Sequence, residues 1–322
     1  MKRPWGKRLK IKQRFSRDIR INAIGFAKLI AYAVFRMYLV ISRKQIRVVP
    51  IEKSIQIILK ERLSVARFGD GEFKWMFKDR EPDNFEKNSS ELASALLKVV
   101  KTSRPGFQVC IPDAFDGLTQ YRRLDAFFWA GQLGHHGYRW VRTLSSKRTY
   151  LDSLVTRPYM IYKDRSQGDR LFKLIKQIWD KRHVILVEGS ETRFGVGNDL
   201  LNNAAKVERI ICPAKNAFEH YTQISKTITD LIKNIDDSDI LVLVSLGPTA
   251  TVLANDVNFE TSVQVLDIGH LDLEYSWMLM HADEKVPLNY KYVNEIENGD
   301  KVQSVPSKFL QRYNSEILIE IK

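Results

Sequence analysis

The sequence predicts an α/β protein with a mostly parallel sheet, and two observations support this prediction. Short apolar runs alternate with segments of helical periodicity along the 322 residues, without an internal repeat. Four of the apolar runs also end directly in polar loops that contain glycine, namely RFGDGEF, VEGSETRFGVGN, SLGPTAT and DIGHLDLE. Because open α/β sheets bind ligands where their parallel strands end, we expect the four loops to contribute to one site.

The other elements follow from hydrophobic periodicity. Helices are predicted at residues 51–62, 89–101, 118–133, 169–180 and 221–235, and further strands at 107–111 and 208–213. A helix is also expected to begin near Asn198 or Asp199. The segment QLGHHGY is expected to end the third helix and to place His135 and His136 in a loop. Adjacent histidines without a third donor nearby are more typical of solvated side chains than of metal ligands.

The positive charge is confined to the N-terminus. Residues 1–50 contain 14 Lys and Arg against the single acid Asp18, and the remainder of the chain has 37 bases and 37 acids. A protein that binds nucleic acid through its folded surface would carry a basic face there, so no nucleic-acid partner is predicted. We therefore divide the chain into a basic arm at 1–50, a catalytic domain at 51–300 and a peripheral tail at 301–322.

Within the arm, residues 21–41 are apolar and long enough to cross a bilayer as a helix, but Lys28 and Arg36 interrupt them. This pattern favours an amphipathic helix in the headgroup plane of an anionic membrane, with its cations on lipid phosphates. The alternative is a terminal helix that packs on the domain or on a partner subunit. The predicted location is cytoplasmic, at the inner face of the cell membrane.

Several function classes are excluded by missing motifs. The chain has no CxxC, HExxH, GxSxG, GxxxxGK[ST] or complete GxGxxG, which argues against zinc ribbons, zincins, common serine hydrolases, P-loop ATPases and standard dinucleotide enzymes. Cys110 and Cys212 lie in apolar contexts and are expected to be buried free thiols of a reducing compartment.

Two of the loops have the chemistry of an anion or metal site. Gly69 and Gly71 relax the backbone after a strand, so that Asp70 and Glu72 can turn toward one point. An ordinary Asp-Gly surface turn is the alternative interpretation. Gly247-Pro248-Thr249 suits a helix N-terminus, where exposed amides and the helix dipole attract anions.

In chain order, RFGDGEF, LVEGSETRFGVGNDLL, RIICPAKNAF, LGPTATVLANDV, DIGHLDLEYSW and KYVNE resemble the GT-D class of bacterial glycosyltransferases. The resemblance covers roughly residues 50–298. It implies a Rossmann-like fold with helices on both faces of the sheet, a UDP-sugar donor carrying glucose or another hexose, and a divalent metal. It also implies a glycan acceptor, lipid-linked or protein-linked, in surface polysaccharide or glycoprotein synthesis.

A D-x-E motif that holds metal and diphosphate is part of the resemblance, and the pattern occurs twice, at 70–72 and at 272–274. We favour Asp70 and Glu72 as ligands of Mn²⁺ or Mg²⁺, because the flanking glycines let a diphosphate approach and hard cations prefer oxygen. Arg67 is expected to assist as a bidentate phosphate clamp.

Transfer also requires a base that removes the proton of the acceptor hydroxyl. Asp272 is our first candidate, followed by His270, with Glu274 as the third. In a strand-like stretch the three side chains would share one face. Alternatively, Glu274 caps a helix that starts at Tyr275, and Asp272 accepts a structural hydrogen bond.

The remaining site residues bind the donor in this interpretation. The expected diphosphate contacts come from Gly247, Thr249 and Thr251. The ribose or base pocket is expected to be formed by Gly195, Gly197, Asn198 and Asp199. Lys215 is expected to touch phosphate or uracil, or else to be an ordinary surface residue.

Two other functions use the same features. A nucleotide-binding phosphohydrolase would activate water with the same carboxylates, although the chain lacks a dense acidic cluster. A non-catalytic membrane adaptor would keep the fold without the carboxylates, yet Asp70, Glu72 and Asp272 are all present.

Overall fold

The computed structural model describes residues 5–79 and 85–322, with side chains from residue 20 onward. The helices are α1 (Trp5–Ile41), α2 (Ile51–Glu61), α3 (Asp70–Met76), α4 (Ser90–Lys101), α5 (Arg123–Thr143), α6 (Gly168–Lys176), α7 (Tyr221–Asn234), α8 (Pro248–Thr261), α9 (Leu271–Leu279) and α10 (Ser307–Glu316). The strands are β1 (Arg47–Val48), β2 (Ser64–Arg67), β3 (Phe107–Ile111), β4 (Thr149–Asp152), β5 (His183–Gly189), β6 (Lys206–Cys212), β7 (Ile240–Ser245), β8 (Gln264–Asp267) and β9 (Ile317–Glu320).

The predicted α/β class with a mostly parallel sheet is confirmed. The strands form one sheet in the order β1-β4-β3-β2-β8-β7-β5-β6-β9. From β4 to β9 each neighbouring pair is parallel. The chain runs outward from β2 through β3 to β4, and later returns to place β8 on the other side of β2. The strand order therefore reverses between β2 and β8, and open α/β sheets bind ligands outside such a reversal.

The sheet is buried on both faces because its strands are almost uniformly apolar, as expected for parallel strands covered by helices. Val184 and Leu186 of β5 point into a core that α2, α6 and α9 also enter. Ile185 and Val187 alternate with them and are equally buried. This packing holds the ends of the central strands, and the loops that follow them, in fixed positions.

The chain separates into two compact units, one formed by the first 47 residues with 114–148 and the other by 48–113 with 149–322. Residues 114–148, which the sequence analysis assigned to the catalytic domain, thus fold with the N-terminal helix. The tail also differs from the peripheral segment that we expected, because β9 pairs with β6 and extends the sheet.

In the first unit, α1 packs along α5. The segment QLGHHGY was predicted to break a helix, but α5 runs through it without interruption. Its glycines lie three residues apart and face α1, where a Cβ at Gly134 would lie 2.7 Å from the Cβ of Ala31. The glycines therefore allow the two helices to approach closely, rather than ending one of them.

The charges that interrupt the apolar stretch of α1 lie on its inner side. Arg36 donates a hydrogen bond to the carbonyl of Phe115. The aliphatic part of Lys28 lies against Gly131, 3.1 Å from the position that a Cβ there would occupy. This differs from the placement on lipid phosphates that we expected, because Lys28 packs on α5 and Arg36 bonds to the segment that precedes α5. The basic side chains of residues 2–17 lie outside the described side chains.

By length and composition, Arg20–Ile41 is able to cross a membrane, as are many core helices and signal sequences. No other helix in the described part of the chain meets the same criteria.

Substituting Gly134 with leucine should destabilise the helix pair. The new side chain would meet both the backbone and the side chain of Ala31, and overpacking of this kind typically costs about 1–3 kcal/mol. Thermal unfolding monitored by circular dichroism should show a lower midpoint. Gly117→Ala is the matched control, since a Cβ at Gly117 meets nothing within 4 Å. Equal midpoints for the two variants would contradict this packing.

Candidate active site

The segment after β2 forms a helix start rather than a free loop. Gly69 is the N-cap of α3, and its amide donates to Oε2 of Glu72 at 2.8 Å in a capping box. Asp70 lies in the first helical turn and pairs with Lys74 at 3.0 Å, with 29% of its side chain exposed. Burial raises the pKa of Glu72, although the Arg67 charge opposes this. Asp70 thus presents the more accessible carboxylate of the pair.

Arg67 bridges the ends of the two central strands. Its guanidinium pairs with Asp267 at 3.0 Å, its Nε donates to the Asp267 carbonyl at 3.0 Å, and its Nη1 donates to the Ser153 carbonyl. The guanidinium also lies over Gly269, where a Cβ would meet Nη2 at 1.9 Å. Most of the Arg67 N–H groups, which we expected to bind a phosphate, therefore donate to groups of the protein itself.

The threonines of α8 are likewise committed to the protein. Thr251 donates to Asp267 at 3.0 Å and Thr249 to Glu86 at 3.2 Å, and both side chains are fully buried. Gly247, with a φ of +52°, is the N-cap of α8, and a Cβ there would lie 2.4 Å from the Phe85 ring. The backbone of this helix start remains suited to an anion, whereas the two hydroxyls stabilise the fold.

The glycine loop after β5 contains turns, and the helix expected near Asn198 is absent from this part of the described chain. Gly195 and Gly197 have positive φ values of +76° and +82°, which only glycine adopts readily. Asp199 accepts hydrogen bonds from Lys176 at 2.7 Å and Tyr275 at 2.6 Å, and both lower its pKa. The loop is therefore anchored to α6 and α9.

This loop also lines a cavity of about 320 Å³. Gly195, Gly197 and Asn198 form one wall, and Phe309 and Tyr313 of α10 form another. The C-terminal segment, predicted to be peripheral, thus contributes aromatic side chains next to the expected base pocket. Lys215 lies apart from the cavity lining and is exposed in the loop after β6.

The segment after β8 begins α9 at Leu271, so Asp272 and Glu274 lie in a helical turn rather than a strand. Residues two apart in a helix point in nearly opposite directions, which separates the two carboxylates. The expectation that His270, Asp272 and Glu274 share one face is therefore wrong. Each of them has its own set of partners.

Asp272 is buried and holds the glycine loop in place. Its carboxylate accepts hydrogen bonds from the Gly195 amide at 3.0 Å, from Asn198 Nδ2 at 2.7 Å and from Lys291 Nζ at 2.5 Å. Lys291 is itself only 3% exposed. These contacts match the structural alternative considered for Asp272 better than the role of a base, because its oxygens already serve three donors.

Glu274 is fully buried on the other side of α9. Its Oε2 accepts from the amides of Tyr159 at 3.1 Å and Met160 at 2.8 Å. Its Oε1 is buried and has no hydrogen-bond partner among the described residues. Burial raises the pKa of Glu274 to about 7, while the nearby Arg157 charge acts in the opposite direction. A carboxyl with this pKa is divided between its neutral and ionised forms near pH 7.

His270 joins a charged cluster that sequence reasoning missed. Its Nδ1 lies 2.6 Å from Glu295 Oε1 and 2.6 Å from an Arg157 nitrogen. Glu295 also contacts Arg157 and Lys285 directly. Burial lowers the pKa of His270. Burial alone would raise the pKa of Glu295, but Arg157 and His270 outweigh it and hold that pKa well below its usual range.

Arg157 connects this cluster to the segment after β2. Burial opposes the charge on its guanidinium, but Glu295 raises its pKa, and Glu274 and Asp70 act in the same direction. Asp70 therefore lies within electrostatic range of the cluster. The motif KYVNE, which ends in Glu295, was the available sequence signal for the cluster, whereas Arg157 lies outside every quoted motif.

The raised pKa of Glu274 predicts a specific pH dependence of stability. Glu274 favours the folded state most below pH 4.5, its ordinary pKa, and this contribution is lost as the pH rises to about 7. The corresponding change is about 3 kcal/mol. Relative to Glu274→Gln, the natural protein should therefore lose stability between pH 4.5 and 7.5 in denaturant titrations. The exposed Glu297→Gln is the control, and parallel profiles for the natural protein and Glu274→Gln would refute this assignment.

The fold and the site together define an α/β protein with a charged cluster where the strand order of the sheet reverses. A family model described as "Glycosyltransferase GT-D fold" matches residues 65–296, and the chain belongs to this family.

Known relatives are named as glycosyltransferases. The chain is 33% identical over 277 residues to the glycosyltransferase GlyD of Streptococcus pneumoniae serotype 4, covering 86% of this chain and 33% of that protein. It is 33% identical over 279 residues to the probable glycosyl transferase Gly of Streptococcus gordonii, covering 86% of this chain and 39% of that protein. The chain thus spans little more than a third of the length of these relatives.

The chain is also similar to solved structures of glycosyltransferase fold. A new glycosyltransferase (DUF1792) from Streptococcus sanguinis superposes with a TM-score of 0.78 and 32% identity, covering 86% of this chain and 100% of that one. A structure of the domain of unknown function 1792, described as having a distinct glycosyltransferase fold, has a TM-score of 0.80 and 31% identity. That match covers 92% of this chain and 100% of the other.

Proposed function

We propose that the chain is a metal-dependent glycosyltransferase that moves glucose or another hexose from a UDP-sugar to a glycan acceptor. One observation supports this most directly. A cluster of interacting charged side chains from four separate segments lies where β2 and β8 end, and it consists of Asp70, Arg157, His270 and Glu295. In a chain of the GT-D family, that is the place where a donor diphosphate and an acceptor hydroxyl would meet.

Asp70 and Glu72 would hold Mn²⁺ or Mg²⁺. Among the described residues no group of three or more His, Cys, Asp or Glu side chains is arranged to hold a metal. A pair is nevertheless sufficient, because Mg²⁺ in nucleotide sites commonly takes one or two carboxylates and completes its shell with phosphate oxygens and water. The accessible carboxylate of Asp70 fits this chemistry. When bound, the metal would neutralise charge on the departing UDP.

Arg157 would be the side chain that binds the diphosphate directly, in addition to the metal. Its side chain is 24% exposed, and it carries a charge beside Asp70. We assign this role to Arg157 rather than to Arg67, because the Arg157 side chain is the more exposed of the two, at 24% against 14%. The uridine would lie against the loop of Gly195 and Gly197, next to the aromatic side chains of α10.

His270 would act as the base. In the tautomer whose Nδ1 proton is accepted by Glu295, Nε2 would accept the proton of the acceptor hydroxyl as the bond to the sugar forms and the bond from the sugar to UDP breaks. The lowered pKa of His270 favours the neutral imidazole, which is the form that can accept a proton. Glu295 would position the ring, and Asp272 would position the glycine loop through Gly195 and Asn198.

The basic arm would hold this enzyme at the inner face of the cell membrane, next to lipid-linked or protein-linked acceptors. Support comes from the 14 Lys and Arg among residues 1–50, and from the apolar residues of α1 that remain exposed.

The function is tested by UDP release from a panel of UDP-sugars, with and without Mn²⁺. Slow metal-dependent hydrolysis of one donor, accelerated by an acceptor glycan, is the expected result. If UDP with Mn²⁺ stabilises the protein but no donor is hydrolysed, the protein binds the nucleotide and the reaction requires an acceptor. If no donor is hydrolysed and no nucleotide stabilises the protein, the proposal is refuted and the adaptor interpretation is favoured. Release of inorganic phosphate instead of UDP would favour a phosphohydrolase.

A further inference from the structure

The outward face of α1 is entirely apolar over five turns. From residue 23 to residue 41, each exposed residue of the helix is apolar, and none is charged or polar. The large side chains on this face are between 50% and 76% exposed, and they include Ile24, Phe26, Ile30, Val34, Met37 and Val40. Soluble monomers rarely expose such a continuous apolar face, which therefore indicates an interaction surface.

The opposite side of α1 is already occupied. Phe35 is fully buried, and its ring packs edge-on against Tyr138 of α5 at 5.4 Å. Tyr32 and Arg36 donate hydrogen bonds to the carbonyls of Ala114 and Phe115. Tyr32 and Arg36 thus have partners within the same unit, and the exposed side chains of α1 between residues 23 and 41 are all apolar.

The distribution of charge identifies that partner. The unit that contains α1 and α5 has 20 Lys and Arg against three acidic residues, whereas the other unit has 31 against 35. Arg20 and Arg43 are exposed at the two ends of the apolar face, and Arg47 follows them. A second copy of the same unit would bring like charges together, and a nucleic acid would leave the apolar face unburied. An anionic lipid surface would bury the apolar face and would also attract the positive charge of this unit.

We propose that α1 lies in the plane of an anionic membrane, with its face from Ile24 to Ile41 in the lipid and α5 on the aqueous side. This proposal rests on the membrane attachment proposed above, and adds which surface enters the lipid. The helix does not span, because α5 is packed along it and would carry the exposed Arg123, Arg139 and Arg142 into the hydrocarbon. Arginine at the centre of a membrane is disfavoured even on the most permissive insertion scale.

Vesicle cosedimentation with the full chain tests the proposed face. The natural protein should bind vesicles of phosphatidylcholine with phosphatidylglycerol, and should bind pure phosphatidylcholine weakly. Phe26→Glu should reduce the partition coefficient about tenfold or more, because it places a charge within the apolar face. Phe259→Glu is the matched control, since Phe259 is 74% exposed in the other unit and Phe26 is 66% exposed. Its binding should equal that of the natural protein.

The outcomes separate the two proposals. No binding of the natural protein to anionic vesicles would overturn the attachment and the proposed face together, without affecting the glycosyltransferase assay. Binding that Phe26→Glu leaves unchanged would overturn the face alone. Both variants should retain the natural unfolding midpoint, because the replaced rings are exposed.

Orientation is tested with an environment-sensitive fluorophore on a single introduced cysteine, since Cys110 and Cys212 are buried. On addition of anionic vesicles, a probe at Val34→Cys should shift to shorter wavelength, and a probe at Arg142→Cys on α5 should not. A shift at Arg142→Cys alone, or at both sites equally, would overturn the proposed orientation. Alkaline carbonate should also release the protein from membranes, and retention in the pellet would instead establish a spanning helix.

Discussion

Replacing Asp70 with asparagine is expected to lower kcat for metal-dependent transfer about 100- to 1000-fold, with little effect on stability. Asp70 would provide the accessible carboxylate for the cation that neutralises the leaving UDP, and several kcal/mol of transition-state stabilisation depend on such a charge. The amide keeps the size of the side chain and loses mainly an ion pair with Lys74, which is worth little at a partly exposed position. Initial rates across a Mn²⁺ titration would measure the effect.

The matched control is Glu91→Gln, an exposed carboxylate in the first turn of α4. It resembles Asp70 in its position at a helix start but lies away from the proposed site, so its rate should equal that of the natural enzyme. If Asp70→Asn kept both its rate and its Mn²⁺ dependence, the assignment of the metal to Asp70 would be wrong.

The second large effect is expected on stability. Lys291→Met should lower the free energy of unfolding by about 3–5 kcal/mol, because it leaves the Asp272 carboxylate buried without its cation. Denaturant titration followed by fluorescence would measure this loss, for which the six tryptophans of the chain provide the signal. The glycine loop should loosen at the same time, since Asp272 also accepts from the Gly195 amide and the Asn198 side chain.

A double-mutant cycle with Asp272→Asn completes this test. The double variant should be more stable than Lys291→Met alone, because removing both charges leaves no unpaired ion in the interior. If Asp272 were instead the catalytic base, Asp272→Asn would abolish transfer in a protein of unchanged stability. A kinetic comparison with His270→Ala, at pH values from 5 to 8, would then locate the base.

The local features of the chain were predictable from sequence because they depend on neighbouring residues. Strands β2, β5, β7 and β8 appear as short apolar runs, and each ends next to glycine or polar residues. Parallel strands buried on both faces require such runs, so the α/β class follows directly from them. That site chemistry would gather after these strands also follows, since parallel strands end at the same edge of the sheet.

Glycine patterns were misread where they serve packing between distant segments. Gly134 indicated the end of a helix, yet it allows α5 to approach Ala31 of α1, about a hundred residues earlier. Conversely, Gly195 and Gly197 precede a run of turns rather than a helix start, because Asp272 and Lys291 hold that loop from outside. A single sequence contains no record of such distant partners.

The sequence by itself determined the fold class, the edge of the sheet that carries the candidate site and the placement of an excess of positive charge in the N-terminal segment. These properties depend on the order and periodicity of residues along the chain. Only the tertiary structure decided which side chains pair, bringing Arg157, His270 and Glu295 together and turning Lys28 and Arg36 inward. The physical reason is that charge pairing and helix packing act through space, between residues that the chain separates.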